Sequence, residues 1–364
     1  MSDAAPSTAI LVPQARRSGM IDLWRAIACL AVVLYHGSET PNLPTDSPLV
    51  TVMSSLGHHG WLGVPMFFVI SGFCLAQAVQ IRAAQTCGVI AFWKDRLLRI
   101  YPVYWAALLL ALLLALIATP FNGLPPSSAF PSSTSALLSN LTLVTNWTGH
   151  QPQLMVSWSL DYEIGFYVLV GAALFAPLRR TSHRLWLYMA ITTLAHMDSP
   201  VAWFPLLGSW PAFACGLAVH SALQTKLSSP VRFLALLYPL ALAALALLTE
   251  VSLSAAFAPA FALCLLASLA WEPRLPPPPR ALCAIGLASY SIYLVHIPFM
   301  SPMLNLFHRL LAPDSAAYTW VWIGHLIVGV TSGLLFYHLI ERRCETLRTR
   351  LSSHSSSPYS VATA

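Results

Sequence analysis

Apolar runs of about twenty residues recur along this chain, separated by short polar stretches that carry most of its charge. A run of that length crosses the ~30 Å hydrocarbon core of a bilayer as one α-helix. Ten such runs are predicted, at 20–39, 60–80, 100–119, 157–177, 185–199, 203–221, 232–250, 254–271, 282–300 and 319–340. The fifth is the weakest, because Asp198 and Pro200 cut it short. Strand-period alternation is absent, which argues against a β-barrel. The expectation is an all-α, polytopic membrane protein with about ten transmembrane helices. Residues 1–18 read as an N-terminal tail, 19–345 as the transmembrane domain and 346–364 as a Ser-rich C-terminal tail, expected to be disordered.

Composition agrees. The chain is 57% hydrophobic and 9% charged, against about 25% charged in soluble domains, and its mean hydropathy is +0.67. No cleavable signal peptide is expected, since the first twenty residues lack an apolar core and the first apolar run carries Asp22 and Arg25. The net charge of +6 follows membrane topology rather than nucleic-acid binding. With both termini in the cytoplasm, seventeen of the nineteen Lys and Arg fall on the inner side. Arg25 lies within the first run, and Arg309 alone falls outside. The seven cysteines lack CxxC spacing, so neither zinc nor a disulfide framework is expected. Five of them fall in apolar runs and read as small core residues, and Cys87 and Cys344 in inner loops.

On this topology residues 120–156 form the largest outer loop, and 40–59 a second one ending in His58 and His59. Residues 272–280, with four consecutive prolines, read as a stiff inner linker.

Ionisable residues inside apolar runs are where chemistry is sought, because a charge there is costly and faces protein or a wet cavity. In the first run Asp22, Arg25 and His36 share one helical stripe, with Arg25 and His36 ~16 Å apart along the axis. The plain alternative is a membrane anchor whose Arg snorkels. Arg96 and Arg99 share a face at the cytoplasmic mouth of the third run. They are either ordinary inner charge or a clamp for phosphates, which guanidinium groups grip in a bidentate fashion. In Trp158 to Tyr167, Glu163 faces with Ser159 and Tyr167, while Asp161 lies ~200° away and cannot share their pocket. Glu163 and His36 lie at similar depth. A carboxylate–imidazole pair would make a general base, or a structural link between two helices. The stretch from Gly60 to Gly72 is either a close-packed helix seam or a broken helix beside a cavity. Tyr290, Tyr293 and His296 read as packing aromatics, with His296 also able to line a cavity. The remaining histidines read as interfacial or core residues. No P-loop, GxSxG elbow, HExxH or dinucleotide fingerprint is present.

Five stretches together resemble the membrane-bound acyltransferase-3 family. They are Asp22-x-x-Arg25 followed after ten residues by His36; GxxGVxxFFVISGF at 60–73; FxxxRxxRIYPxYW at 92–105; WSLxxExxFY at 158–167; and SYSIYLVHxP at 289–298. Glu341-Arg342 resembles the family's closing motif. Pro65 and Asp161 are small departures that touch no proposed role.

The resemblance implies a ten-span core, in the cell's inner (cytoplasmic) membrane, that takes an acyl group from cytoplasmic acyl-CoA, acetyl-CoA being usual. The acyl-CoA is a co-substrate, and no permanently bound cofactor or metal is expected. It implies His36 as the catalytic base supported by Glu163, and Arg25, Arg96 and Arg99 on the CoA side. Asp22, Ser159, Tyr167 and His296 are expected in supporting places. The expected acceptor is a hydroxyl of an envelope saccharide such as a lipopolysaccharide or exopolysaccharide unit, with a small molecule such as a macrolide as runner-up. A separate extracytoplasmic protein could receive the acyl group, and no nucleic-acid partner is expected. A proton-coupled transporter is the rival from another class, but the paired repeats and matching broken helices of transporters are missing.

Overall fold

The computed structural model describes residues 18–40, 47–83, 88–172, 206–248, 253–310 and 316–354, together with Leu174, Arg180, His183 and Leu187. These residues are helical in every regular element. Helix α1 spans Gly19–Ser38, and Ser18 caps its N-terminus by accepting from the Ile21 N–H. α2 is Pro48–Gly57, α3 Gly63–Ala83 and α4 Gly88–Ala118. The short helices α5 (Thr134–Thr142) and α6 (Thr145–Thr148) precede α7, Trp158–Ala172. Then follow α8 (Leu206–Leu223), α9 (Ser229–Leu248), α10 (Leu253–Trp271), α11 (Arg280–Leu287), α12 (Ser289–His308) and α13 (Ala316–Phe336). A π-helical turn, Tyr337–Glu341, joins α13 to α14, Arg342–His354.

Six helical stretches among the described residues are long and apolar enough to cross a membrane. They are Gly19–Ser38, Pro48–Arg82, Gly88–Ala118, Ser229–Leu248, Ala256–Arg274 and Ala317–Leu351. A seventh arises if α11 and α12, bent by 74°, count as one span. The predicted fourth and sixth runs are helical as α7 and α8. The predicted fifth run, 185–199, lies outside the described residues, except for Leu187.

The structure departs from the predicted elements in five places. α4 starts twelve residues before the predicted run, because Lys94, Arg96, Leu97, Leu98 and Arg99 are good helix formers even where hydropathy falls. The predicted ninth run breaks at Ala288 into α11 and α12. The outer stretch 40–59 contains α2, with Pro48 at its first turn, where the missing N–H costs nothing. Residues 120–156 hold α5, α6 and 3₁₀ turns rather than open loop. α14 carries Cys344 and extends to His354, nine residues into the stretch read as tail; 355–364 lie outside the described residues. Cys29 and Cys215 are buried, but Cys264 is exposed rather than in the core.

Backbone contacts fix the frame. A Cβ at Gly72 of α3 would lie 2.1 Å from the Phe213 carbonyl oxygen of α8, and one at Gly216 would lie 2.0 Å from that of Val69. The two helices therefore meet with no side chain between them, which is the close-packing reading of the Gly60–Gly72 stretch. At the start of α1, Gly286 of α11 presses on the Asp22 carbonyl in the same way, a Cβ there lying 1.9 Å from its oxygen. Beside the α3–α8 seam the rings of Phe68, Phe166 and Phe213 stack, with Phe166–Phe213 centroids 4.1 Å apart and Phe68–Phe213 centroids 4.6 Å apart. Phe68, the edge of this aromatic layer, lines the site.

Candidate active site

A cavity opens between α1, α3, α4, α7 and α12, with about 840 Å³ of free space counting the solvent at its mouth. α1 supplies Arg25, α4 supplies Arg96 and Arg99, and α7 supplies Ser159, Glu163 and Tyr167. Apolar side chains such as Val64, Phe67 and Phe68 complete the walls. The RxxR spacing on α4 and the S-x-x-x-E-x-x-x-Y spacing on α7 each place their polar groups on one helix face, so both reach the same space.

Glu163 Oε1 accepts from Ser71 Oγ at 3.2 Å and from Tyr167 OH at 2.5 Å. The predicted pairing of Glu163 with His36 is not formed. α7 turns its Glu163 face toward the α4 arginines and α3, into the cavity that holds Arg25, and His36 does not line that cavity. Asp161 points elsewhere, as its register requires. It is fully buried and accepts from Thr145 Oγ and the Asn146 N–H, each at 2.8 Å, so it ties α6 to α7.

Among the described residues, salt bridges join Arg82 to Asp95 and His58 to Glu39, and none engages Arg25, Arg96 or Arg99. Arg96 packs its guanidinium between the rings of Phe92 and Tyr167, each centroid 5.9 Å away, and its buried Nε has no hydrogen-bond partner. Arg99 lines the cavity and is exposed there. Carboxylates act on these groups at longer range, Glu163 on Arg99 and Glu341 on both Arg99 and Arg25. The arrangement leaves guanidinium donors without a direct carboxylate partner in a partly apolar, open cavity, which suits a multiply charged anion carrying an apolar arm.

Glu341 was legible in the sequence only as part of the closing motif. In the structure its Oε2 accepts from the Ser291 N–H at 3.2 Å and Ser291 Oγ at 2.5 Å. The signal was an acidic residue at the very end of an apolar run, a place that also fits a cytoplasmic flank. Tyr293, read as a packing aromatic, lines the cavity, and its hydroxyl lies 2.8 Å from Ser159 Oγ. Tyr290 lines it too and donates to the Ile100 carbonyl at 3.1 Å.

His36 stands three turns along α1 from Arg25 and is not part of that cavity's wall. It is half-buried, with its ring 5.1 Å from Tyr35 and 5.2 Å from His296 of α12. The Tyr293 ring, 6.2 Å from His296, connects the histidine pair to the cavity. Asp22 is buried one turn before Arg25 and acts on it electrostatically, without lining the cavity. The site residues therefore fall into two groups along α1. Arg25, Arg96, Arg99, Ser159, Glu163 and Tyr167 come together around the cavity; His36 and His296 come together beyond it.

Comparison with known proteins gives the family of the chain. The acyltransferase domain family matches residues 19–338. "Acyltransferase MdmB" of Streptomyces mycarofaciens is 29% identical over 150 residues, which is 40% of this chain and 36% of that protein. "Exopolysaccharide production protein ExoZ" of Rhizobium meliloti (strain 1021) is 33% identical over 128 residues, 33% of this chain and 37% of that protein. The match thus spans little more than a third of the length of either relative. No solved structure matches the chain. A family match over nearly the whole helical core, on a multi-pass membrane protein, makes this chain a member of the acyltransferase-3 family and a membrane acyltransferase.

Proposed function

We propose that the protein is an O-acyltransferase that moves an acyl group, acetyl by expectation, from cytoplasmic acyl-CoA to a hydroxyl of an envelope saccharide. The observation that carries this reading is the cavity in which Arg25, Arg96 and Arg99 stand without a direct carboxylate partner beside apolar walls. Phosphates of CoA bind at Arg96 and Arg99 near the mouth, and the pantetheine arm runs past Arg25 toward His36. On this reading the chain has ten spans in the cytoplasmic membrane with both termini inside, and His36 lies toward the outer side.

His36 takes the proton of the acceptor hydroxyl as that oxygen attacks the thioester carbonyl. The C–O bond forms, the tetrahedral intermediate collapses with cleavage of the C–S bond, and the imidazolium returns its proton to the CoA thiolate. Glu163, bonded to Ser71 and Tyr167, acts on the CoA side as the counter-charge that keeps the arginine cluster in place. Exopolysaccharide is the acceptor favoured by the name of one relative; a hydroxylated small molecule such as a macrolide is the second candidate.

The test compares cells expressing the chain with cells carrying His36→Ala, by mass spectrometry of surface glycans before and after mild alkali. An alkali-labile acyl increment only with the unaltered chain is expected. Equal acylation by the variant would remove His36 from the mechanism, and no increment from either protein would direct the search to small-molecule acceptors.

A further inference from the structure

A general base needs one ring nitrogen held so that the other keeps its lone pair for the substrate. The carboxylate expected to do this, Glu163, is bonded elsewhere. His296 is the group in place. It is fully buried, and its Nδ1 lies 3.0 Å from the Ile292 carbonyl one turn back on α12. A carbonyl only accepts, so Nδ1 carries the proton and Nε2 holds a lone pair. That Nε2 is buried and has no hydrogen-bond partner. His36 is the ionisable neighbour whose charge acts on His296. Their centroid separation of 5.2 Å is about what two imidazoles need when joined in line by an N–H···N bond of roughly 2.9 Å. A turn of the His36 ring completes the bond.

We propose that His296 is the positioning residue of His36: its Nε2 accepts the ring N–H of His36 and leaves the other His36 nitrogen free to take the acceptor's proton. The inference rests on His36 being the base. His296 takes no part in the bonds that change. It fixes the tautomer of His36 and disperses the charge that forms when His36 is protonated.

The other titratable groups around the pair are Tyr35 and Glu39 toward the end of α1, Tyr293 on α12 and His325 on α13. Glu39 is bonded to His58 at 2.8 Å. Tyr293 hydroxyl is engaged with Ser159 and donates to the Val156 carbonyl at 3.1 Å. His325 Nδ1 is bonded to the Trp322 carbonyl, and Trp322 in turn donates to the Gly37 carbonyl at 2.9 Å. Glu39 and Tyr293 thus have partners of their own. His325 Nε2 is also buried without one and lies near Gly37, but among the described histidines it is the His296 ring that meets the ring of His36, so the nitrogen within its reach is that of His296.

The test uses purified full-length protein, unaltered or carrying His296→Phe or His296→Gln, with diethyl pyrocarbonate as the probe. This reagent modifies the free nitrogen of neutral imidazole, and peptide mass spectrometry reads the rate at His36 without knowledge of the acceptor. His296→Phe removes the acceptor nitrogen and is expected to slow His36 modification about tenfold, the factor that one hydrogen bond is worth. His296→Gln places an amide oxygen near the Nε2 position and is expected to restore most of the rate. Equal rates in all three proteins, or equal slowing in both variants, would overturn the proposal. If His296→Phe does not fold, as judged by gel filtration and acyl-CoA binding, His296→Leu replaces it. Transfer activity is read alongside. A His36→Ala protein that still acylates overturns the role of His36 itself, whereas an inactive His36→Ala with an unchanged His296→Phe overturns the positioning role alone.

Discussion

The two ends of α1 solve opposite problems with the same helix. Near its start, Arg25 joins Arg96 and Arg99 in an open cavity, where charge is tolerated because water reaches it. Near its end, His36 meets His296 in a closed place, where the buried histidine satisfies one nitrogen on its own helix backbone. The first end is suited to hold an anion, and the second to hold a neutral base. An enzyme that binds a polyphosphate carrier at one depth and transfers its acyl group at another needs both, and needs them apart.

Substitutions break this division in a definite order. The largest loss is expected for His36→Ala, about 10³-fold in kcat with little change in KM for acyl-CoA, since general-base catalysis supplies roughly 10²–10⁴. Steady-state kinetics on purified protein checks it. Arg99→Ala should act in the opposite sense, raising KM for acyl-CoA about 10- to 100-fold with a smaller change in kcat, as the loss of one charge-assisted hydrogen bond predicts. A donor lacking a phosphate should then lose less with Arg99→Ala than acyl-CoA does. Glu163 separates the two regions most sharply. Glu163→Gln keeps a carbonyl oxygen for Ser71 and Tyr167, so an effect under about tenfold, seen in KM, is expected; a loss matching that of His36→Ala would restore the carboxylate–imidazole pair. The smallest effect is a protection. Cys74 lines the cavity and Cys29 is buried, so a maleimide should label Cys74 before Cys29, and saturating acyl-CoA should slow the labelling of Cys74 several-fold.

Much of the cavity was legible in the sequence, because helix periodicity sorts residues around one axis. It grouped Arg96 with Arg99 and Ser159 with Glu163 and Tyr167, and it separated Asp161 from them. It could not say toward which neighbour a face turns. Residue count assigns Glu163 and His36 a similar depth, but Glu163 joins the cavity of Arg25 and His36 stands apart from it, because the angle and offset between two helices are set by packing between backbones, as at Gly72 and Gly216. The same limit hid His296 as the neighbour of His36 and Glu341 as the partner of Ser291. The bend at Ala288 was hidden for another reason: the residues on both sides are equally apolar, so hydropathy runs through it without a mark. The early start of α4 was hidden because charge lowers hydropathy without weakening a helix.

The seam between α3 and α8 has a mechanical consequence. Where side chains separate two helices, each can slide as rotamers change, but here carbonyl oxygens sit where a methyl group would have to go. Those helices behave as one fixed jaw, backed by stacked rings that cannot give way without losing contact. Any widening that admits a nucleotide carrier must therefore come from the opposite jaw. There α4 is held to α3 by the Arg82–Asp95 ion pair and to α14 by the bond from Lys94 to the Leu351 carbonyl. Such polar clasps can open and re-form in water, and Arg96 and Arg99, the residues proposed to hold the carrier's phosphates, ride on that same helix, α4.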